Sequence, residues 1–205
     1  MKKMVLVLTL AAFALSGSAF AQDPTYFDNI GLQLADGTSC GVVGEDVPFT
    51  VFIVLSKLTN PEVWGWEAKF THTNMLRIGD SFYGDGVNAA SRTDEWIVGL
   101  ASPLFAVDDA VVVGELQYLV NGFYNDVAQP SYAFVEGVYF SLLDPIQGPP
   151  AYLEVSGSAG VELHPAIGDP LGVETFLPQL IMNGDCGGPV GVEDSSFGSV
   201  KSLFR

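Results

Sequence analysis

An all-β fold, a sandwich of two antiparallel sheets, is what this chain predicts, and three features of the sequence carry the expectation. Ten short apolar segments follow one another, turn residues separate them at short intervals, and almost no segment has helical period. The 205 residues include 23 glycines and 12 prolines, yet 48% are hydrophobic types. So much apolar sequence broken by so many turns suits two sheets that bury their faces against each other. A closed barrel is the alternative architecture.

The segments are taken in chain order. Ile30, Leu32 and Leu34 alternate with small or polar residues before an Asp36-Gly37 turn, which reads as an opening strand. Val47 to Leu55 is β-branched and aromatic on both faces, as a central strand is. Lys57 to Pro61 supplies turn chemistry. In the strand that follows, Trp64, Trp66, Ala68 and Phe70 share an inward face, and Gly65, Glu67, Lys69 and Thr71 a solvent face. These two strands are expected to pair in one sheet. Gly79 to Gly86 reads as a loop, Glu95 to Ala101 as a short strand, and Ala110 to Val120 as a long strand bulged near Gly114. Further strands are expected at Tyr132 to Val135, Val138 to Leu142, Tyr152 to Val155, Val161 to Leu163 and Leu177 to Met182.

The chain begins with Lys2 and Lys3, an apolar run from Met4 to Leu15, and small residues ending in Ala19-Phe20-Ala21, the pattern of a secretory signal over residues 1–21. The apolar run is shorter than the roughly 20 residues a membrane span needs, and no later stretch is long enough. Residues 22–189 form one expected sandwich domain, and residues 190–205 a short tail. Without the signal, six basic residues face 24 acidic ones, a formal charge of −18. Such acidity disfavours nucleic acid and anionic membranes as partners. It suits solubility outside the cell, or the binding of cations or neutral polymers.

The chain has two cysteines, Cys40 and Cys186, and an exported chain with two cysteines is expected to join them. Closing so long a loop restricts the unfolded chain by about 5 kcal/mol in the loop-entropy account. A metal or catalytic thiol needs ligand or base partners, and His72 and His164 are the only histidines.

The run Val63-Trp64-Gly65-Trp66-Glu67-Ala68-Lys69-Phe70, followed by His72 and Leu76, and the preceding Gly44, Glu45 and Val51, resemble the corresponding strands of cohesin-type domains. The later runs Trp96 to Ala101 and Val111 to Val120 fall in that family's order. The resemblance covers residues 40–165 and implies a cohesin-like, jelly-roll sandwich related to carbohydrate-binding modules. Where the family usually carries Tyr-Asp, this chain has His72-Thr73, and no dockerin-like segment accompanies it, so dockerin recognition is not implied.

Chemistry is sparse. The carboxylate pairs Glu45-Asp46, Asp94-Glu95 and Asp108-Asp109 each sit in a turn beside a strand, where acids are ordinarily solvated, so a glycan-active hydrolase finds little support. No Ser or Cys stands at motif spacing from either histidine, and the reading is that the chain is not an enzyme. Asp80 and Asp85 could hold calcium with a neighbouring carbonyl, though their spacing matches no EF-hand; no other cofactor is expected. Phe82, Tyr83 and Tyr124 fall in loops and are the candidate aromatics for a glycan or a surface protein. A non-catalytic binding module at the cell surface, or in the periplasm, is the expected function, and a structural envelope or surface-layer subunit the alternative. In the tail, Phe197, Val200, Leu203 and Phe204 fall on one helical stripe ending in Lys201 and Arg205, a candidate docking or sorting segment for export or anchoring machinery.

Mass spectrometry of the exported protein should show a chain starting at Gln22 that takes up no alkylating reagent until reduced. An intact Met1, or two freely alkylated thiols in the folded protein, would overturn these two expectations.

Overall fold

The computed structural model describes residues 28–124, 127–141, 143, 144, 146, 148–155, 159–165 and 178–185. The strands are β1 (Asn29–Gln33), β2 (Cys40–Gly41), β3 (Phe49–Ser56), β4 (Glu62–Thr73), β5 (Met75–Phe82), β6 (Gly86–Asn88), β7 (Glu95–Phe105) and β8 (Ala110–Val120). After them come β9 (Phe123–Tyr124), β10 (Val127–Ala128), β11 (Ser131–Glu136), β12 (Ala151–Leu153), β13 (Val161–Glu162), β14 (His164–Pro165) and β15 (Leu180–Met182). One sheet has the order β14-β1-β3-β8-β5. In the other, β4 is central: β7 runs along one side of it with β6 outside, while β12 and β11 share its other side and lead to β13 and to β15 and β2. Most pairings are antiparallel; β1 with β14 and β15 with β2 are parallel. The expected two-sheet sandwich is the observed architecture.

Alternation along the strands fills the space between the sheets. Val51, Ile53 and Leu55 of β3 and Leu116 of β8 come from one side, and Trp66, Ala68 and Phe70 of β4 from the other, all buried. At the centre Trp96 of β7 packs on Trp66 at 5.4 Å and on Phe70 at 5.5 Å between ring centroids, in the tilted and edge-on arrangements that aromatic quadrupoles favour. The outward residues Val54, Ala110 and Val112 form a small second cluster, with Phe52 and Tyr83 against it. This explains a β3 that is apolar on both faces.

Several expectations are corrected. β3 and β4 do not pair; they lie in different sheets and face each other across the core. Lys57, at φ 53°, and the buried Leu58 carry the chain from one sheet to the other instead of folding it back as a hairpin. Trp64 leaves the inward set, because a register shift between Val63 and Gly65 puts Val63 in the core and turns the Trp64 indole to the Glu62 carboxylate at 3.0 Å. The start of the expected loop at Gly79 is instead the second half of β5, which follows β4 after a turn at Asn74, φ 56°, and shifts register beside Gly79. Glu67 is completely buried although its strand position faces outward. Of the strand expected over Val138 to Leu142, the described residues Val138 to Ser141 lie in no strand, and Leu142 lies outside the described residues. The bulge expected near Gly114 is present, since β3 pairs with Gly114 and then Val112, passing over Val113.

One carboxylate joins the ends of the sandwich. Asp28, buried and at φ 60°, accepts hydrogen bonds from the Thr59 amide at 2.8 Å, the Thr59 hydroxyl at 2.6 Å and the Tyr152 phenol at 2.9 Å. Its amide donates to the Lys57 carbonyl at 2.9 Å and its carbonyl accepts from the His164 amide at 2.8 Å. Burial and the bond to Asp28 push the Tyr152 phenol well above its ordinary pKa, so it stays a donor.

Because hydrogen bonds to a buried charge contribute about 1.5–3 kcal/mol each, Tyr152→Phe should lower the unfolding free energy by about 2 kcal/mol and Asp28→Ala by more. Urea unfolding reads both. A Tyr152→Phe variant within about 0.5 kcal/mol of the parent, the range of ordinary surface substitutions, would show that the Asp28 hub contributes little.

Candidate functional site

Among the described residues, one connection is built outward from the core of the sandwich, that between β11 and β12, which runs from Gly137 to Pro150. Its two ends meet. A side chain at Gly137 would overlap the Gly148 carbonyl, and one at Gly148 would overlap the Ser141 hydroxyl, so only glycine fits this neck. Beneath the neck Val138 is fully buried. Compact loops with closed ends and their own packing are frequent carriers of function.

Two carboxylates of sheet strands hold the loop. Glu95, at the start of β7, accepts the Tyr139 amide at 3.1 Å and Arg92 Nη1 at 3.3 Å. Glu67, in the middle of β4, accepts the Ser141 hydroxyl, and that hydroxyl in turn accepts the Leu143 amide at 3.0 Å. Both acids are buried because the loop covers them. At the loop's root Lys69 of β4 pairs with Glu136, the last residue of β11, at 2.9 Å. The loop is therefore fastened at its root by Glu136 and within its first half at Tyr139 and Ser141.

What its described residues present is mostly apolar, with Asp144 the exposed acid among them. Phe140 is 69% exposed and Ile146 68%, with Tyr139 and Leu143 partly exposed beside them in sequence. Phe140 meets the Tyr139 ring edge-on at 5.2 Å, and the Arg92 guanidinium lies 4.3 Å from the centre of the same ring. Phe140 also has φ 60°, a left-handed conformation that bulky side chains adopt only under constraint, at a cost of order 1–3 kcal/mol. The fold thus spends local strain to hold an aromatic ring in water.

The candidates drawn from the sequence lie elsewhere. Phe82 turns inward and packs on Trp96 at 6.4 Å, and Tyr83 covers the outer cluster of β3 and β8 while its phenol donates to Glu115 at 3.1 Å. Burial and that carboxylate push the Tyr83 phenol up to about 12. Tyr124 belongs to β9, and its side chain lies outside the described residues, as does the tail with Phe197, Val200, Lys201, Leu203, Phe204 and Arg205. Asp80 is paired with Arg77 Nε at 3.6 Å, and the Asp85 carbonyl accepts the Ala101 amide at 2.9 Å. Among the described residues no group of three or more His, Cys, Asp or Glu side chains could hold a metal ion. Cys40 is disulfide-bonded; Cys186 lies outside the described residues, and β15, just before it, runs beside β2 with Ile181 opposite Cys40. Sequence reasoning missed the loop because Val138-Tyr139-Phe140 reads as strand. The signal that could have found it is Gly137 and Gly148-Pro149-Pro150 bracketing an apolar stretch.

No protein-family model matches the chain, and neither does any curated protein. Solved structures similar to it include the sixth cohesin of scaffoldin B from Acetivibrio cellulolyticus, in complex with a mutant Cel5 dockerin. It is 9% identical with a TM-score of 0.44, covering 78% of this chain and all of that one. A type I cohesin–dockerin complex from Clostridium thermocellum scores 0.46 at 8% identity, covering 68% and 95%. The cohesin module of a family 33 glycoside hydrolase from Clostridium perfringens scores 0.43 at 11% identity, covering 68% and 92%. These are modules of the kind the residue pattern resembles.

If Phe140 is held out under strain, Phe140→Gly should raise the urea midpoint, by an amount corresponding to about 1 kcal/mol, because glycine adopts positive φ freely. A fall in stability would instead make Phe140 a packing residue of the fold.

Proposed function

We propose that this chain is an exported, non-catalytic binding module at the cell surface that takes a protein partner through the β11–β12 loop. The observation that carries the reading is the exposed Phe140, held at positive φ on a loop fastened to the sheet by Glu67 and Glu95. Exposed apolar side chains on a rigid support are the usual anchors of protein–protein contacts, because little entropy remains to be lost on binding. The composition of the patch favours a protein over a sugar. A sugar site needs several hydrogen-bonding groups around its aromatic ring, whereas the described neighbours here are Leu143, Ile146 and a single exposed carboxylate, Asp144, whose Oδ1 already accepts the Ile146 amide at 2.7 Å, and Arg92 is engaged by Glu95 and Tyr139. An aromatic or aliphatic side chain of a partner matches the patch in kind.

A photo-crosslinking residue placed at Phe140 should capture a discrete partner on intact cells, whose binding to the purified module is then measured. The double variant Phe140→Ala, Ile146→Ser should keep its thermal midpoint and bind that partner at least tenfold more weakly, since exposed aromatic anchors often contribute more than 2 kcal/mol. Retention on a polysaccharide gel that both forms share would favour a glycan module. Ordered self-association without a captured partner would favour the structural-subunit reading, and turnover on hydrolase substrates would overturn all three.

A further inference from the structure

At one level of the sandwich the apolar filling gives way to polar side chains, and a histidine is among them. His72 continues the inward set of β4, Arg77 follows the buried Met75 in β5, and Tyr118 follows the buried Leu116 in β8. Arg77 and Tyr118 are cross-strand partners in one sheet, and from the other sheet the His72 ring meets the Tyr118 ring edge-on, with centroids 5.3 Å apart. His72 Nδ1 is sealed from solvent and has no hydrogen-bond partner among the described residues. The seam thus joins β4 to β8 and, through Arg77, to the edge strand β5.

The protonation state of His72 decides what this seam contains. A neutral imidazole has one N–H and can keep it on Nε2, leaving Nδ1 bare as an acceptor beside the Arg77 and Tyr118 donors. The imidazolium must carry a proton on the sealed Nδ1 as well, and it adds a second positive charge beside Arg77. Burial lowers the His72 pKa, and the Arg77 charge lowers it further. The surrounding groups do little to offset this. Tyr118 stays a neutral phenol, raised to about 12 by burial against the pull of Arg77. Asp80 of β5 faces Arg77 Nε at 3.6 Å, yet it is Arg77 and not Asp80 whose charge acts on His72. Asp94, next to the Thr93 carbonyl that accepts Arg77 Nη2, lies 4.0 Å from Lys69 Nζ. In β11 the residue opposite His72 is Ala133, and β3 supplies the Phe49 ring against Tyr118.

We propose that His72 is an acid-sensing latch between the two sheets: neutral, it lets the seam close, and protonated, it loosens the edge strand β5 from β4 while the rest of the sandwich holds. The sign follows from the direction of the shift. An unfolded or opened chain takes up the His72 proton at about 6.5 and the closed one only at lower pH, so stability is full above 6.5, declines as pH falls below it, and is lost once pH has passed the folded value. β5 is the strand to yield because it carries Arg77, pairs on one side only and changes register beside Gly79. The signal is also uncrowded. The chain has two histidines, and its many carboxylates ordinarily titrate below about pH 5.

The test uses the mature protein and His72→Gln, which keeps a polar side chain of similar size but takes up no proton in this range. NMR titration of the two imidazoles should give His72 a midpoint below the ordinary 6.5. Amide hydrogen exchange, corrected for its intrinsic pH dependence, should show Leu76 to Ser81 opening more readily at pH 5.5 than at pH 7.5. The gain should be up to about tenfold, the ceiling at one unit below the free value, with β1 and β3 unchanged and with no gain in His72→Gln. A His72 midpoint at or above 6.5, an opening of β5 that ignores pH or responds equally in His72→Gln, or an acceleration spread evenly over all strands would each overturn the proposal. Should His72→Gln fail to fold, the parent's titration and exchange pattern decide it together with His164→Gln, which should keep the full pH response; its loss there would assign the effect to the wrong histidine and overturn the latch.

Discussion

The Asp28 carboxylate is the constraint on which the sandwich most depends, because its partners come from parts of the chain that no local rule would bring together. Thr59, which donates to the carboxylate, belongs to the crossing between β3 and β4, and Tyr152, its other donor, to β12, while His164, in the short strand that closes the first sheet, donates its amide to the Asp28 backbone carbonyl. A two-sheet fold made of antiparallel strands can slide or splay at its ends, since alternation fixes which face is buried but not how the two sheets meet. A buried charge removes that freedom. Its carboxylate must be answered by donors wherever it sits, and these donors are in place only in one arrangement of both sheets. Positive φ at Asp28 and at Lys57, the residue whose carbonyl accepts the Asp28 amide, belongs to the same junction.

The strands were legible in the sequence where period 2 was unbroken and lost where it was not. Trp66, Ala68 and Phe70 lie where alternation puts them, but Trp64 does not, because between Val63 and Gly65 the pairing on β7 jumps from Leu104 to Gly99 and the alternation of β4 is broken there. The pairing of β3 with β4 was misread for a different reason. A five-residue connection with Pro61 and Asn60 is equally compatible with a hairpin and with a step between sheets, and the choice depends on Thr59 finding Asp28, which is distant in sequence. β5 was hidden by its glycine and its polar residues, as strands at sheet edges often are. The candidate loop was the least legible element. Val138-Tyr139-Phe140 has strand composition, and only the two glycines of the neck distinguish it from one.

Glu67 shows how the loop and the sheet depend on each other. On an outward position of a central strand a glutamate should be solvated, yet here it is fully covered by the segment it binds. Glu95 stands in the same relation to Tyr139 and Arg92. If the loop were pulled away, two carboxylates would gain water and the loop would lose its amide and hydroxyl acceptors, so the exchange is nearly balanced in hydrogen bonds. What favours the closed form is then the burial of Val138 and the fit of the glycine neck, neither of which involves Phe140.

That separation has a functional sense. A surface that must stay apolar in water gains nothing from contributing to the fold, and a residue that contributes to the fold is poorly placed to be buried by a partner. Here the residues that secure the loop, Val138, Tyr139 and Ser141, come first in the chain or interleave with Phe140, while the most exposed of the loop's described apolar side chains, Phe140 and Ile146, are absent from the buried set and the side-chain hydrogen bonds that fix it. Strain at Phe140 can then persist because its neighbours on both sides are tied down, Tyr139 through its amide to Glu95 and Ser141 through its hydroxyl to Glu67. The ring is held in water by a backbone that has no freedom to withdraw it.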